Sequence, residues 1–310
     1  MKTDTLSVVY SCDNNYAQHM SVSIYSLLVH NLDFKHIQIY IIDNQISEIN
    51  KEKIQRMIGS FKNTELIWID FTKWKALLNL KMEWEVSISS YGRLFISSMI
   101  PLNIERIIYL DCDMIFCDSL KELWNFDLKG NVIGAVQDAV NDETKGAVGI
   151  PSEQPYFNAG MLLIDVKKWR VTEVEKMAIN FIFEHQGKIK HHDQGVLNGI
   201  LKNKWMRVPV RYNLMTIHYI YNRSKVMKYF QNHAEFYTED ELEKSRKKPA
   251  VLHYTPSFTT RPWVKNCKHP LKEKYWEILQ ETPWKGAKEE NDNRKLYVKL
   301  IEWRYRCLPF

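Results

Sequence analysis

The chain has 310 residues, of which 45% are hydrophobic and 26% are charged, and its formal net charge is +6. These values suit one large globular domain or two modest ones. Five scattered cysteines without a CxxC pair argue against a disulfide framework and a zinc site. Neither an apolar signal segment nor a run of roughly 20 apolar residues is present, so we expect a protein of a reducing compartment that is not secreted.

Strand and helix patterns alternate through the first half of the chain. The predicted strands are residues 5–11, 36–43, 64–70 and 105–110. The predicted helices are residues 15–30, a segment capped by Ser47 that ends near residue 59, and residues 89–100. This alternation predicts an α/β fold with a mixed, mostly parallel sheet flanked by helices.

The second half continues the pattern less regularly. Ser119 and Glu122 have the spacing of a capping box and predict a short helix. Further strands are predicted at "NVIGAVQDA", "FNAGMLLIDV" and "AVLHYTP", and helices at residues 171–187 and 193–202. Residues 217–248 give no clear assignment. We expect a main domain over residues 1–285 and a helical tail over 286–310.

Asp111 and Asp113 follow the apolar run 107–110 directly, in "YLDCDMIFCDSL". Ligands of open α/β sheets bind beyond the carboxyl ends of the strands, and two carboxylates placed there suit Mg²⁺ or Mn²⁺. Alternation turns Cys112, between them, towards the protein interior. The alternative is a pair of turn aspartates that only cap the next element. Neither GxGxxG after the first strand nor a P-loop motif is present.

Over residues 5–285 the sequence resembles the retaining glycosyltransferases of family 8, which have the GT-A fold. The resemblance depends on six segments in order: "DNNYAQHMSVSIYSLL", "SYGRLFI", "IIYLDCDMIFCDSLKELWNFDL", "YFNAGMLLIDVKKW", "HDQGVLNGI" and "LHYTPSFTTRPW". The family includes lipopolysaccharide galactosyl- and glucosyltransferases and the glycogenins.

The resemblance implies roles for individual residues. Asp111, Asp113 and His253 would be the protein ligands of Mn²⁺, with Mg²⁺ also possible. The residues implied for the UDP-sugar donor are Ser11, Asp13, Asn15, Arg93, Asp111, Cys112, Asn158, Gly160 and Arg261. Asp138 would touch sugar hydroxyls, and Asp193 with Gln194 would lie below the reacting sugar carbon.

Each role has a structural alternative. Asp13 and Asn15 are also typical helix-capping residues, and Arg93 can simply pair with an acid. His253 can be a satisfied histidine at a strand end, and Gln194 an ordinary helix residue.

Three positions depart from the family pattern. Arg261 lies eight residues beyond His253, where the family has a glycine and then a lysine six residues beyond. Gly195 stands where lipopolysaccharide enzymes often have the second acid of an Asp-Gln-Asp motif, so one carboxylate near the acceptor is missing. Glu85 stands where some members have a donor-side histidine.

The resemblance implies a retaining transferase that moves glucose or galactose from a UDP-sugar to a cell-surface glycan or lipid-linked glycan. A glycogenin-like protein glucosyltransferase and a non-catalytic UDP-sugar-binding protein are the alternatives. We expect no nucleic-acid partner, because the basic residues do not surround a stacking platform.

The tail "RKLYVKLIEWRYRCLPF", residues 294–310, combines apolar residues at helical spacing with basic and aromatic ones. This pattern predicts an anchor to an anionic membrane surface, which would place the protein in the cytoplasm at the inner face of the cytoplasmic membrane. The alternative is a helix packed on the main domain.

Overall fold

The computed structural model describes residues 4–78, 87–256 and 258–307. Its strands are β1 Thr5–Asp13, β2 His36–Asn44, β3 Thr64–Asp70, β4 Arg106–Leu110, β5 Met114–Phe116, β6 Ile133–Asp138, β7 Tyr156–Asp165, β8 Trp205–Arg207, β9 Leu214–Met215 and β10 Val251–His253. Within the described residues they form a seven-stranded sheet and a three-stranded sheet.

The larger sheet has the order β3-β2-β1-β4-β7-β6-β8. All its pairings are parallel except those of β7, which runs antiparallel to both β4 and β6. The mixed, mostly parallel sheet expected from the sequence is therefore confirmed. The reversal of β7 matters for the site, because its first residues lie at the same sheet edge as the last residues of β4.

Helices cover both faces of this sheet. The helices of the described residues are α1 Ala17–His30, α2 Glu48–Gly59, α3 Thr72–Lys75, α4 Ile96–Met99, α5 Lys121–Trp124, α6 Asp142–Gly146, α7 Val166–Val171, α8 Val174–Glu184, α9 His192–Leu201, α10 Ile217–Ile220, α11 Arg223–Phe230, α12 Glu239–Lys247, α13 Glu273–Leu279 and α14 Leu296–Cys307. Short 3₁₀ helices cover Asn14–Tyr16, Ile88–Phe95 and Val210–Tyr212. None of these helices, which cover only the described residues, has the length and apolarity needed to cross a membrane.

Alternating side chains of β1 fill two hydrophobic cores, one on each face of the sheet. Leu6, Val8 and Tyr10 belong to the first core, and Val9 belongs to the second. This alternation is the period of a strand that is buried on both faces. Burial of the sheet on both sides leaves its carboxyl edge as the place where polar side chains meet.

Two local predictions were wrong in detail. Residues 89–100 do not form one helix, because the segment winds as a 3₁₀ helix up to Phe95 and only then as α4. Gly92 lies close to β1, where a Cβ would come within 2.5 Å of Ser11 Oγ. The capping box at Ser119 is absent: α5 begins at Lys121, and the Ser119 hydroxyl donates to Asp33 instead.

The smaller sheet has the order β5-β10-β9. The predicted strand "AVLHYTP" is β10, and it lies in this second sheet rather than in the main one. Its partner β5 begins directly after Asp113, which was not predicted. Antiparallel pairing of His253 with Met114 brings the histidine beside the second aspartate.

Candidate active site

The polar segments predicted for the site converge at the carboxyl edge of the main sheet. Because β1 and β4 are parallel neighbours, with Tyr10 opposite Leu110, residues 11–13 and 111–113 leave the sheet side by side. Residues of both segments line one cavity of about 510 Å³, together with Arg93 and Arg261.

Asp111, Asp113 and His253 form a compact acidic and imidazole cluster. One potential ligand atom from each lies within 4.8 Å of the others. His253 Nε2 is 3.1 Å from Asp113 Oδ1 and 3.9 Å from Asp111 Oδ2. Two carboxylates and an imidazole suit a divalent cation of the Mg²⁺ and Mn²⁺ type, and the imidazole favours Mn²⁺.

Gly160 gives this cluster its open space. A Cβ at Gly160 would lie 2.5 Å from His253 Cε1 and 2.8 Å from Asp111 Oδ2. The Gly160 carbonyl also accepts a hydrogen bond from the Asp111 backbone N–H at 2.8 Å. Only glycine therefore fits between the two side chains, and the residues present suit a bound cation.

The charges around the two aspartates act in opposite directions. Burial alone would raise the pKa of Asp113, but the adjacent His253 and Arg261 outweigh it and lower that pKa below its usual range. Burial and the like charge of Asp113 raise the pKa of Asp111, against the effect of Arg93 and His253. The cluster therefore holds at least one carboxylate that stays ionised well into acid.

Arg261 lies beside this cluster. Its Nε donates to Asp113 Oδ2 at 2.8 Å, and its guanidinium lies 5.8 Å and 5.9 Å from the ring centres of Tyr16 and Trp263. The loop lacks the family's glycine. It contains instead Phe258, whose φ of 60° is left-handed and uncommon for a residue with a side chain.

Arg93 is buried and joins two parts of the site. Its Nη2 is 2.8 Å from Asp111 Oδ1, and its Nε is 2.8 Å from Asp193 Oδ2. The guanidinium also contacts the carbonyl of Ala159 and lies 4.3 Å from the centre of the Tyr109 ring. Arg93 therefore pairs with acids, which was the structural alternative to donor binding. Both of these acids are themselves predicted site residues.

The segment after β1 has the capping geometry that the sequence suggested. Asp13 Oδ1 accepts from the backbone N–H groups of Asn15 and Tyr16, and Asp13 Oδ2 accepts from Ser87 Oγ. Ser11 Oγ donates to the carbonyl of Ser89. Ser87 and Ser89 thus fix one wall of the cavity, and no motif in the sequence marked them.

Cys112 lies between the two aspartates and is buried in the first hydrophobic core. Its Sγ is 3.5 Å from the carbonyl oxygen of Ser11. The inward direction expected from alternation is confirmed.

The predicted sugar-side residues form a second group, which is continuous with the first. Asp138 Oδ2 accepts from both Asn158 Nδ2 and Gln194 Nε2 at 3.1 Å. Asp193 accepts from Ser90 Oγ at 2.6 Å and is held by Arg93. All the described residues that the sequence marked as candidates therefore belong to one connected region.

Gly195, which departs from the family pattern, is required by the close approach of the neighbouring backbone. A Cβ there would lie 2.0 Å from the Lys190 carbonyl oxygen, so an acid cannot replace this glycine without a backbone shift. His191 and His192, just before, have left-handed φ values of 60° and 53°. The tight entry to α9 thus excludes the second acid of the Asp-Gln-Asp motif. Glu85 lies outside the described residues.

Asn213 is a buried residue of the site that the sequence analysis missed. Its side chain lies between His253 and Asn158, with hydrogen-bond distances of 2.8 Å to each. No signal in the sequence distinguishes it. It is a single asparagine directly before the short strand β9 and belongs to no recognised motif.

An open, mostly parallel sheet with an acidic cluster at its carboxyl edge is the arrangement of the GT-A class of glycosyltransferases. The crystal structure of the galactosyltransferase LgtC in complex with donor and acceptor sugar analogues superposes with a TM-score of 0.72. The two sequences are 25% identical, and the superposition covers 90% of this chain and 96% of LgtC. The GT-A fold expected from the sequence is confirmed.

The model of the family "Glycosyl transferase family 8" matches residues 7–267, and the chain belongs to this family. Similar proteins include General stress protein A of Bacillus subtilis, 28% identical over 92% of this chain and 96% of that protein. The lipopolysaccharide 1,2-glucosyltransferase of Escherichia coli is 28% identical over 98% of this chain and 85% of its own length.

Proposed function

We propose that this glycosyltransferase is a retaining hexosyltransferase that moves glucose or galactose from a UDP-sugar to a glycan or lipid-linked glycan of the cell surface. The observation that carries the proposal is the cluster of Asp111, Asp113 and His253 with Arg261 beside it. The glucosyl- and galactosyltransferase activities named for two similar proteins support the hexose.

Asp111, Asp113 and His253 would hold Mn²⁺, with Mg²⁺ as the other candidate. Bound there, the cation neutralises negative charge on the diphosphate of the donor. Arg261 adds a second positive group at the same edge of the cavity. Its forked guanidinium suits the oxygens of a departing diphosphate, where charge develops in the transition state.

Ser11, Asp13 and Asn15 would bind the nucleoside at the cavity wall that Ser87 stabilises. Asp138 lies at the other end of the site, where its carboxylate is oriented by two amide donors and suits sugar hydroxyls.

Gln194 and Asp193 would lie below the anomeric carbon, and Arg93 holds Asp193 in place. The Gln194 amide is oriented by Ala159 N–H and by Asp138, so it presents a fixed neutral dipole to the cationic sugar. The acceptor hydroxyl would approach from the face that UDP leaves, which retains the anomeric configuration.

We also infer that the tail contacts an anionic membrane surface at the inner face of the cytoplasmic membrane. Leu296, Tyr297, Leu300 and Trp303 lie on α14 and are 55–72% exposed. This exposed face supports an anchor over a helix packed on the main domain by its apolar side. The division between residues 285 and 286 stays a prediction.

Hydrolysis and transfer assays with UDP-glucose and UDP-galactose, with and without Mn²⁺, test the enzymatic proposal. Asp113→Asn should abolish metal-dependent turnover while the circular dichroism spectrum stays native. Asp240→Asn, on exposed α12, is the control and should keep wild-type activity. Full activity of Asp113→Asn would contradict the metal site.

Binding and intact-mass measurements separate the two alternatives. Binding of UDP-sugar without any turnover would indicate a non-catalytic binding protein. An increase in intact protein mass after incubation with UDP-glucose would indicate self-glucosylation.

A further inference from the structure

One unbroken chain of hydrogen bonds joins the cation cluster to the sugar-side residues. We name it the amide relay; its members are His253, Asn213, Asn158, Asp138 and Gln194. His253 Nδ1 is 2.8 Å from Asn213 Oδ1, and Asn213 Nδ2 is 2.8 Å from Asn158 Oδ1. Asn158 Nδ2 and Gln194 Nε2 each lie 3.1 Å from the same Asp138 oxygen. Asn213 is fully buried and links His253 to Asn158.

A backbone group fixes the direction of the hydrogen bonds at one end of the relay. The N–H of Gly160 lies 2.9 Å from the Asn158 side chain, and because it can only donate, the Asn158 atom facing it is the oxygen. The Asn213 atom that faces the same oxygen is then the amino group. The other Asn213 atom is its oxygen, which can only accept, so His253 Nδ1 carries the proton.

A second backbone group does the same at the other end. The N–H of Ala159 donates to the Gln194 side chain at 3.0 Å, which identifies the Gln194 oxygen and turns its amino group towards Asp138. Ala159 and Gly160 are neighbours in β7. Two consecutive backbone amides of one strand therefore set the orientation of every amide in the relay.

We propose that Asn213 is a positioning residue that holds His253 in its Nδ1–H tautomer and couples the cation cluster to Asp138. With the proton fixed on Nδ1, His253 Nε2 is the ring nitrogen left to bind a cation. It lies 3.1 Å from Asp113 Oδ1, to which it donates only while Nε2 is itself protonated and the cation is absent. A hydrogen bond to the second ring nitrogen is the general way in which proteins orient a metal-binding histidine.

The tautomer follows from hydrogen bonds alone, whereas the effect on the cation rests on the proposed function. The two parts therefore need separate measurements. Asn213→Leu removes both hydrogen bonds at similar volume. Asn213→Asp keeps an acceptor for His253 Nδ1 but loses the donor to Asn158.

The protonation of each ring nitrogen is measured by ¹⁵N NMR of the metal-free protein labelled at histidine, in a pH series that extends to about pH 9. The His253 signal is identified by its loss in His253→Gln. Wild type and Asn213→Asp should show protonated Nδ1. Asn213→Leu should shift towards protonated Nε2, the form that imidazole side chains favour in water. A wild-type ring without a proton on Nδ1 would overturn the proposal.

The effect of Asn213 on the cation cluster is measured as Mn²⁺ binding. Electron paramagnetic resonance monitors this binding in the absence of any sugar nucleotide. Asn213→Leu should weaken Mn²⁺ binding by about 10- to 100-fold, and Asn213→Asp should bind at least as tightly as wild type but with a lower kcat. Equal weakening by both variants would show a merely structural role. Asn31→Leu removes another buried asparagine that bonds only backbone groups, and it should leave Mn²⁺ binding unchanged.

Failure of the proposed function gives a different result. A wild-type protein with the Nδ1–H tautomer but no Mn²⁺ binding would contradict the metal-dependent function and leave the tautomer assignment intact. Mn²⁺ binding together with an Nε2–H tautomer would contradict the role of Asn213 alone.

Discussion

Arg261 Nε lies 2.8 Å from Asp113 Oδ2, although the two residues are 148 positions apart in the chain. The other oxygen of Asp113 faces His253 Nε2 at 3.1 Å. One carboxylate therefore contacts both the proposed cation-binding imidazole and the proposed diphosphate-binding guanidinium. Cation binding and diphosphate binding should be energetically coupled through Asp113, because each requires this carboxylate or its partner.

Replacement of Arg261 tests its assignment to the donor diphosphate. Arg261→Gln should lower kcat/KM for the UDP-sugar by about 100-fold or more, because a charged donor to the developing negative charge is lost. Arg261→Lys should fall between Gln and wild type, since it keeps the charge but not the fork. Steady-state kinetics with each UDP-hexose measure both effects.

Arg211→Gln is a matched control for the loss of an arginine ion pair. Arg211 pairs with Asp118 and Glu122 away from the cavity, so its replacement should leave kcat/KM near wild type. Equal activity of wild type and Arg261→Gln would contradict the assignment of Arg261 to the donor diphosphate.

Gly160→Ala tests the space inside the cation cluster. The added methyl would lie 2.5 Å from His253 Cε1, so His253 or β7 must shift. We expect Mn²⁺ affinity to fall at least 10-fold and the free energy of unfolding to fall by about 1–3 kcal/mol from overpacking. Isothermal titration with Mn²⁺ and urea unfolding measure the two effects.

Gly59→Ala provides the comparison for Gly160→Ala. Nothing lies within 4 Å of a Cβ at this last residue of α2, so the change should keep Mn²⁺ affinity and the native fold. If Gly160→Ala bound Mn²⁺ as tightly as Gly59→Ala, the cation would not lie between Asp111 and His253.

The sequence predicted most of the main sheet because its strands are long apolar runs bounded by polar residues. It did not predict the direction of β7, since "YFNAGMLLID" is equally apolar whichever way it runs. That direction brings Asn158 and Gly160 to the site. The roles proposed for these two residues came only from the family resemblance.

Other parts of the site depend on contacts between residues far apart in sequence. Strand β5 has three residues and was hidden within the motif "YLDCDMIFCDSL". Asn213 acquires its partners only when β9 pairs with β10, and Ser87 only when Asp13 lies opposite it. Periodicity within one segment carries no information on such pairings.

His218 predicts a measurable dependence of stability on pH. It is fully buried, and neither ring nitrogen has a hydrogen-bond partner in the described structure. Burial, with a smaller effect of Arg246, lowers its pKa to about 3. Below the ordinary histidine pKa of about 6.5, His218 therefore binds a proton in the unfolded chain but not in the folded protein.

The free energy of unfolding should consequently fall as pH decreases from about 6.5 towards 3, by at most about 1.4 kcal/mol per pH unit from this one residue. His218→Leu removes the titrating group and should show a correspondingly shallower decline. Urea unfolding of both proteins between pH 7 and about pH 4 measures the slopes. Parallel curves would show that His218 is not held neutral in the folded state.

The exposed side of α14 predicts membrane binding that depends more on apolar contact than on charge. Arg294 and Lys299 are engaged by Asp292, and Arg294 also pairs with Glu302, so part of the tail's positive charge is already neutralised. Leu300 and Trp303 are 55% and 61% exposed on the same helix. Each apolar side chain buried fully in the interface contributes about 1.5–3 kcal/mol.

Leu300→Ser combined with Trp303→Ser should therefore weaken co-sedimentation with phosphatidylserine vesicles by more than 10-fold, and 0.5 M salt should weaken it less. The control, Leu102→Ser with Val171→Ser, removes two side chains that are 84% and 79% exposed elsewhere, and it should bind like wild type. A variant that lacks the tail should be truncated after Arg294. The segment before this residue must be kept because Glu290 pairs with Val264 and holds it on the main domain. Equal binding by the tail variant and the control would contradict the anchor, because the exposed face of α14 would then contribute nothing to binding.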